Sequence, residues 1–522
     1  MAQLNSKIII ANGIKLDRTY KNVIDYTQTD MVSLCESNKI KEANHYSFIK
    51  HGANKIAVDF TYSECLQASY LAFQNYDYNN KWFFAFIDSI EFSSPASTII
   101  TFTVDVFSTW FRNVEVKPCF VVREHVNNDT LGLHTIDEGL EFGDYKIATH
   151  NTDSVNTTLE AIIGCTEDYM DNYKTKVNNY NGIFTPLTYY GFTDKTSFQG
   201  TITGLQSNNK IDTIANMFLC PSWILTHAPD PGGVRIIDDP DVVYQDIQIS
   251  RISTLDGYTP KNNKMLCFPY CYIGLSNILG QYNMYKQELW ELTNTSMEVR
   301  MYGALASGAS IRVVPKKYKG DSYAWDESIT LGKFPSLAWA NDAYTNWLTQ
   351  NGVNILGLEI NAETAGYLGG ALMVGAGASV GNYTMVGAGI ASMWNTMQTN
   401  NRMSKTPAGV RGSLNSGDVV TSAEQNVLHI YRVTIKEEFA KICDQFLTKF
   451  GYKVTTLKSP NITGRTYWNY VQIGGSEVIG YGNIPADAMD EINRIFRDGV
   501  TIWHNHTNIG DYSLNNTIVQ NP

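Results

Sequence analysis

From Thr364 to Asn401 the chain carries no charged residue over 38 consecutive positions, and eight of those positions are glycine. Between Asp342 and Arg402 the only charges are Glu359 and Glu363. This stretch constrains everything around it, because a lone soluble protomer does not leave so long an apolar surface in water. Gly366 and Gly370, and again Gly377 and Gly381, stand at GxxxG spacing, which lets apolar helices pack closely in lipid. Gly381-Asn382 lies near the midpoint and can turn a helical hairpin with arms 364–380 and 383–399. Each arm, at about 1.5 Å per residue, spans roughly 25 Å, a little short of a roughly 30 Å hydrocarbon core. Leu368, Leu372, Met373 and Val374 supply the apolar surface of the first arm. Met385, Val386, Ile390, Met393, Trp394 and Met397 supply that of the second. The glycine load weakens both as helices in water, which marks a conditional inserter and not a constitutive anchor. From the residues alone two readings stay open. One is a Gly/Ala-rich loop or tightly packed hairpin; the other is a segment shielded in an assembly and released into a membrane.

The rest of the 522 residues reads as ordinary folded chain. A mean hydropathy of −0.21 with one confined apolar stretch excludes a polytopic membrane protein. The net charge of −11 argues against a dedicated nucleic-acid binder, which carries a basic stripe, yet it suits a surface past which nucleic acid slides. Eight cysteines spread along the chain read as core thiols in a reducing compartment, and not as a secreted disulfide scaffold. The run Ile8 to Ala11 is too short for a signal-peptide core, so synthesis in a cytosol, with release by lysis or assembly, is expected.

Along the chain, Ile56 to Tyr62 alternates as a strand and Ser63 opens a helical pattern through Leu66, Tyr70 and Phe73. Trp82 to Ile87 is a continuous apolar strand, and Ile100 to Val106 has period two, with a hairpin at Ser93-Ser94-Pro95 between them. The middle, 126–330, is rich in Asn, Thr, Tyr and Gly and reads as mostly β, with turn clusters such as Ala228 to Gly233. It includes a hairpin of Met297 to Met301 with Ser310 to Val314. Leu428 to Thr434 is a strand; Ile435 to Phe450 is an amphipathic helix with Phe439, Ile442, Cys443, Phe446 and Phe450 on one face. Gly451 stops it, and a second helix from Ala488 to Arg497 is ended by Gly499.

Catalytic constellations are thin. Gly375 to Gly381 mimics a dinucleotide loop but has one residue too many and no βαβ setting. Cys267 and Cys271 have no second ligand pair at zinc-site distance, and His504 with His506, on one face of a strand, do not close a metal site. Asp137 and Glu138 are adjacent, so extended chain points them apart, and glycan hydrolysis by them needs a partner from elsewhere. No enzyme activity, cofactor or metal is expected.

Several stretches, taken together, carry a family resemblance. They are Phe73-Gln74-Asn75 with Tyr78 and Asn80 to Phe83; Val121 to Val126 followed by Thr135 to Leu140; and Lys449 to Lys453. Pro460-Asn461 with Asn469 to Gln472, Ile495-Phe496 with Asp498-Gly499, and Trp503-His504 with Asn508 to Ser513 complete the set. In this order the chain resembles the tail knob, or distal tube, proteins of small short-tailed phages of the picovirus type. The resemblance implies an α+β, mainly β, multi-domain protomer of a homohexameric tube with β-barrel-like wall domains. It implies that 1–125 and 426–522 build the wall, 126–330 lies outside it, and 343–425 forms a hydrophobic loop insertion. That loop plugs the lumen and, on infection, enters the host cytoplasmic membrane so that double-stranded DNA passes without specific binding. The implied partners are the proximal tube or collar above and tip proteins below, in a virion assembled from protein made in the host cytoplasm. A receptor- or glycan-binding adhesin, using the Tyr/Trp/Asn-rich middle, is the competing expectation.

Overall fold

The computed structural model describes 7–44, most of 54–153, segments of 159–337, and 427–519 apart from 481–483. The described chain is α+β and mainly strand. It divides into two units, one drawn from Met1–Gly143, Gly257–Leu266 and Lys436–Pro522, the other from Asp144–Asp256 and Cys267–Ile435.

In the first unit the run at Ile8 to Ala11, wholly buried, forms strand Lys7–Ala11 inside a six-stranded antiparallel sheet. Its neighbours are Lys39–Asn44 and Tyr70–Asn75. Lys81–Ser94 and Ser97–Val104 pair next, with Ser94 opposite Ser97 across the expected turn, and Lys55–Val58 closes the edge. The helical pattern expected through Tyr70 and Phe73 is not formed. The helix ends at Cys65, after Thr61 and Glu64 close a capping box at its start, and Tyr70–Asn75 is a strand. Tyr70, Leu71, Ala72 and Phe73 are all buried, so the run has no period of its own and pairing on both sides decides its state.

A five-stranded sheet completes this unit in the order Asn22–Ile24, Val500–Trp503, Trp468–Ile473, Cys119–Glu124, Tyr452–Lys458. Asn22–Ile24 runs parallel to Val500–Trp503, so residues some 480 positions apart share one ladder. Trp468 and Trp503, both fully buried, lie 5.1 Å apart between ring centroids. Helix Ala486–Asp498 is held by Phe496, which lies 5.8 Å from Phe111, itself stacked on Phe107 at 4.4 Å.

Among the described residues the second unit holds three larger sheets. One runs Val234–Ile236, Thr188–Phe192, Leu159–Cys165, Ile214–Pro221, Ser336–Leu337. In another, Ser310–Tyr318 pairs with Ser296–Tyr302 as the expected hairpin, and Tyr244–Ser250 lies on the far side of that partner. The third is four-stranded: Tyr282–Tyr285, Cys271–Ser276, Leu428–Ile435, Tyr145–Asp153.

Candidate functional site

The stretch expected to meet a membrane, Gly366 to Met397, lies outside the described residues, as do Gly375 to Gly381 and the turn cluster Ala228 to Gly233. The nearest described strands before and after it are Ser336–Leu337 and Leu428–Ile435. Ser336–Leu337 pairs with Ile214–Pro221, and Leu428–Ile435 lies between two partners in the four-stranded sheet. Among the described residues no helix is long and apolar enough to cross a membrane.

Several of the segments that carried the resemblance, Val121 to Val126, Thr135 to Leu140, Lys449 to Lys453 and Pro460-Asn461 with Asn469 to Gln472, meet in a polar network in the first unit. Arg123 and Glu124 end strand Cys119–Glu124, and His125 follows it, where the five-stranded sheet meets helix Glu437–Phe450. The fully buried Glu138 carboxylate pairs with Arg123 and with Lys264, and also accepts the Lys453 backbone N–H at 3.0 Å. Glu124 pairs with Lys458 through one oxygen and accepts the Asn461 N–H at 2.8 Å through the other. Asn461 donates to the His125 carbonyl at 2.7 Å and accepts from Gly464 at 3.0 Å, while Asn469 donates to the Asn461 carbonyl at 3.0 Å. Arg465 reaches the Val126 carbonyl at 2.9 Å.

His125 is buried and serves two main-chain groups: Nδ1 accepts the Tyr470 N–H at 2.7 Å and Nε2 lies 3.0 Å from the Thr448 carbonyl. That arrangement requires the neutral Nε2–H tautomer. Desolvation first, then the nearby Arg465 and Arg123, lower its pKa to about 3. Burial raises the Asp129 pKa, although Tyr452 Oη donates to it at 2.5 Å.

The second anchor was not legible in the sequence. Helix Glu437–Phe450 buries Ala440, Cys443, Asp444 and Leu447, while Ile442, expected on the buried face, is 63% exposed. The face turns because Asp444 is the docking point for Gly257–Leu266. Its carboxylate accepts from Tyr258 Oη at 2.7 Å, Lys261 N at 2.8 Å and Asn262 N at 3.1 Å. Gly451, with φ +65, then brings the chain against strand Cys119–Glu124, where a Cβ would lie 2.1 Å from the Glu124 carbonyl oxygen.

The sequence candidates for chemistry are separated. Asp137 is exposed and accepts from Gly139 N at 3.0 Å, whereas Glu138 is locked between its cations. His504 and His506 do not share a strand face, because strand Val500–Trp503 ends before them and His506 opens a 3-10 turn. His504 Nε2 is 3.0 Å from Asn469 Oδ1, and His506 Nε2 accepts the Lys15 N–H at 3.0 Å. All eight cysteines are buried thiols. The carboxylates of Glu124, Glu138 and Asp444 each have both oxygens taken by donors, an arrangement that holds chain segments together.

Residues 4–115 match the family described as caudoviral major tail protein N-terminus. That match relates the N-terminal part of the chain to phage tail proteins. Residues 240–517, more than half of the chain, match the C-terminal domain of the tail knob protein gp9 of Bacillus phage phi29, and the chain belongs to that tail knob family. It is 24% identical to the phi29 tail knob protein gp9, with 98% of each chain covered. It is 25% identical to the corresponding protein of Bacillus phage B103, again over 98% of each. Its fold is similar to that of the tail knob protein gp12 of bacteriophage C1, with a TM-score of 0.67 at 16% identity, covering 98% of this chain and 100% of that one.

Proposed function

We propose that the chain is the protomer of a hexameric tube at the far end of the tail, through which double-stranded DNA leaves the virion. The observation that carries this reading is the charge-free stretch 364–401 within a tail knob protein. Segments 1–125 and 426–522 build the wall, 126–330 lies outside it, and 343–425 plugs the lumen until infection. The loop then enters the host cytoplasmic membrane, driven by burial of apolar surface, and the lumen becomes continuous with the cell interior. An acidic chain, with a net charge of −11, suits a conduit that does not hold phosphates. The collar or proximal tube above and tip proteins below are its assembly partners. The mechanism is passive, with no chemical step.

Dye release from anionic liposomes over a pH series tests it, comparing the full chain with one lacking 364–401. Leakage that needs the segment, and that is abolished by Gly377→Asp with Val386→Asp while the oligomer stays intact, supports the reading. An intact hexamer by light scattering with no leakage at any pH removes the membrane step and leaves a plain tube.

A further inference from the structure

The hairpin that joins strands Cys271–Ser276 and Tyr282–Tyr285 turns on Ile278 and Leu279, which are 62% and 50% exposed. Ile278 is held at φ +58, in the left-handed region, where a β-branched side chain is costly and Gly or Asn is the usual occupant. The turn around it is closely hydrogen-bonded. The buried Asn277 accepts the Leu279 N–H at 2.8 Å and the Gln281 N–H at 3.0 Å through Oδ1. Its Nδ2 donates to the Thr330 carbonyl at 2.8 Å, and Gln281 Oε1 accepts the Thr330 N–H at 2.9 Å, which pins the turn to strand Ile329–Lys333. Ser276 Oγ accepts the Ile278 N–H at 3.1 Å and donates to the Gln281 carbonyl at 3.0 Å. A strained backbone is thus kept in place to hold two aliphatic side chains out in water, where the lone chain gains nothing from them.

The turn is the end of a larger apolar surface. Register puts Tyr272, Tyr282, Met284 and Tyr431 on one face of the four-stranded sheet, beside Tyr145 and Ile147 of the edge strand. Tyr282 and Met284, next to the turn, are 50% and 46% exposed. Gly274 forms the floor: a Cβ there would lie 2.3 Å from Tyr282 Oη, so the missing side chain lets that ring lie across the sheet. Between Lys264 and Lys286 the chain has no charged side chain. Single exposed apolar residues need no explanation, but a contiguous set marks a surface that meets something other than water. The pairing also fixes where the turn lies. Ser276 is opposite His429, so the turn stands at the end of the sheet where Leu428 begins the first described strand after 364–401.

We propose that the Ile278-Leu279 turn is a second membrane contact, entering the headgroup boundary of a phospholipid bilayer with Tyr282 at the level of the water interface. Aliphatic side chains at the tip with a phenol behind them match that boundary, which is apolar below and wet above. The uncharged tip makes the contact independent of salt. The left-handed turn sets both side chains in place beforehand, so little ordering is lost on contact. The inference rests on the reading that this protein meets the host membrane. It adds to that reading a preformed contact that works without 364–401.

The test is flotation with phosphatidylcholine vesicles of the full chain carrying Gly377→Asp with Val386→Asp, which disables the charge-free stretch and keeps the chain length. This chain should float with the vesicles at low and at high salt without releasing dye. Adding Ile278→Asn or Leu279→Ser should weaken vesicle binding about tenfold each. Asn suits the left-handed position, so Ile278→Asn should leave the melting temperature unchanged or raise it. Flotation of this chain reads the turn, and dye release by the chain without the two Asp substitutions reads 364–401, so either reading can fail while the other stands. No flotation, flotation untouched by both turn substitutions, or flotation lost at high salt overturns the proposal. A lower melting temperature for Ile278→Asn also overturns it, by making Ile278 part of the fold's own packing. A fall in sedimenting mass for either turn variant does the same, and makes the turn a contact between copies of the chain.

Discussion

The buried His125 gives the first unit a defined response to acid. Its folded pKa of about 3 stands against an ordinary value of 6.5, with desolvation the leading cause. The group is neutral when folded, so the unfolded chain binds the extra proton between those values, and stability falls as pH drops below about 6.5. From pH 8 to pH 5 this residue alone removes about 2 kcal/mol, and by pH 4 about 3 kcal/mol. His125→Asn keeps an acceptor for the Tyr470 N–H but orphans the Thr448 carbonyl, at a cost of about 1–3 kcal/mol that does not vary with pH. Urea unfolding at pH 8 and pH 5, followed by the fluorescence of Trp468, whose ring lies 6.5 Å from His125, reports on this unit. The native chain should lose about 2 kcal/mol more than the variant between the two pH values. Contributions from His429, His504 and His506, whose pKa values burial also lowers, cancel in that difference. Equal losses, or an imidazole proton of His125 titrating near 6.5 by NMR, would refute the reasoning.

Three substitutions, with a fourth as a control, probe the rest of the first unit. Glu138→Gln leaves Arg123 and Lys264 facing each other in a buried site and should cost about 3–5 kcal/mol in urea unfolding. Asp444→Ala should cost about 3 kcal/mol and expose 257–266 to limited proteolysis, read by mass spectrometry of the fragments. Gly451→Ala places a Cβ against the Glu124 carbonyl at a left-handed φ and should lower stability by about 3 kcal/mol, while alanine at the equally left-handed but open Gly475 should cost less.

What the sequence made legible follows from how local each signal is. Trp82 to Ile87 and the glycine-stopped helices are set by nearest neighbours and form where expected, and so does the period-two strand except at its end, where Asp105 caps a helix that Val106 opens. Tyr70 to Phe73 misleads because a run buried on both faces has no period to read. The buried side of Glu437–Phe450 misleads because its partner is Gly257–Leu266, some 180 residues earlier, and recognition is by a carboxylate that any pattern assigns to solvent. His125 and Glu138 stood inside quoted family segments, yet nothing local marks them as buried. Their burial depends on Lys264, Lys453 and Arg465, which only the fold brings together. The tyrosine face was visible only as composition, since strands from 145, 272, 282 and 431 must first align.

The membrane step can be tested cleanly only if removing 364–401 leaves the fold unharmed, and chain length predicts that it does. Ninety residues separate Leu337 from Leu428, strands of the second unit at the two ends of the insertion, and deletion leaves 52. Closure entropy grows as three-halves of RT times the logarithm of length, so the change is only about 0.5 kcal/mol, and in the stabilising direction. The deleted chain should therefore unfold in urea within about 0.5 kcal/mol of the full one. Agreement means that any leakage lost with the segment is lost because the segment itself meets lipid. A loss of several kcal/mol would mean that 364–401 packs against the fold, and abolished leakage could then be ascribed to damaged structure. In that case Gly377→Asp with Val386→Asp, which leaves the chain length intact, becomes the deciding comparison.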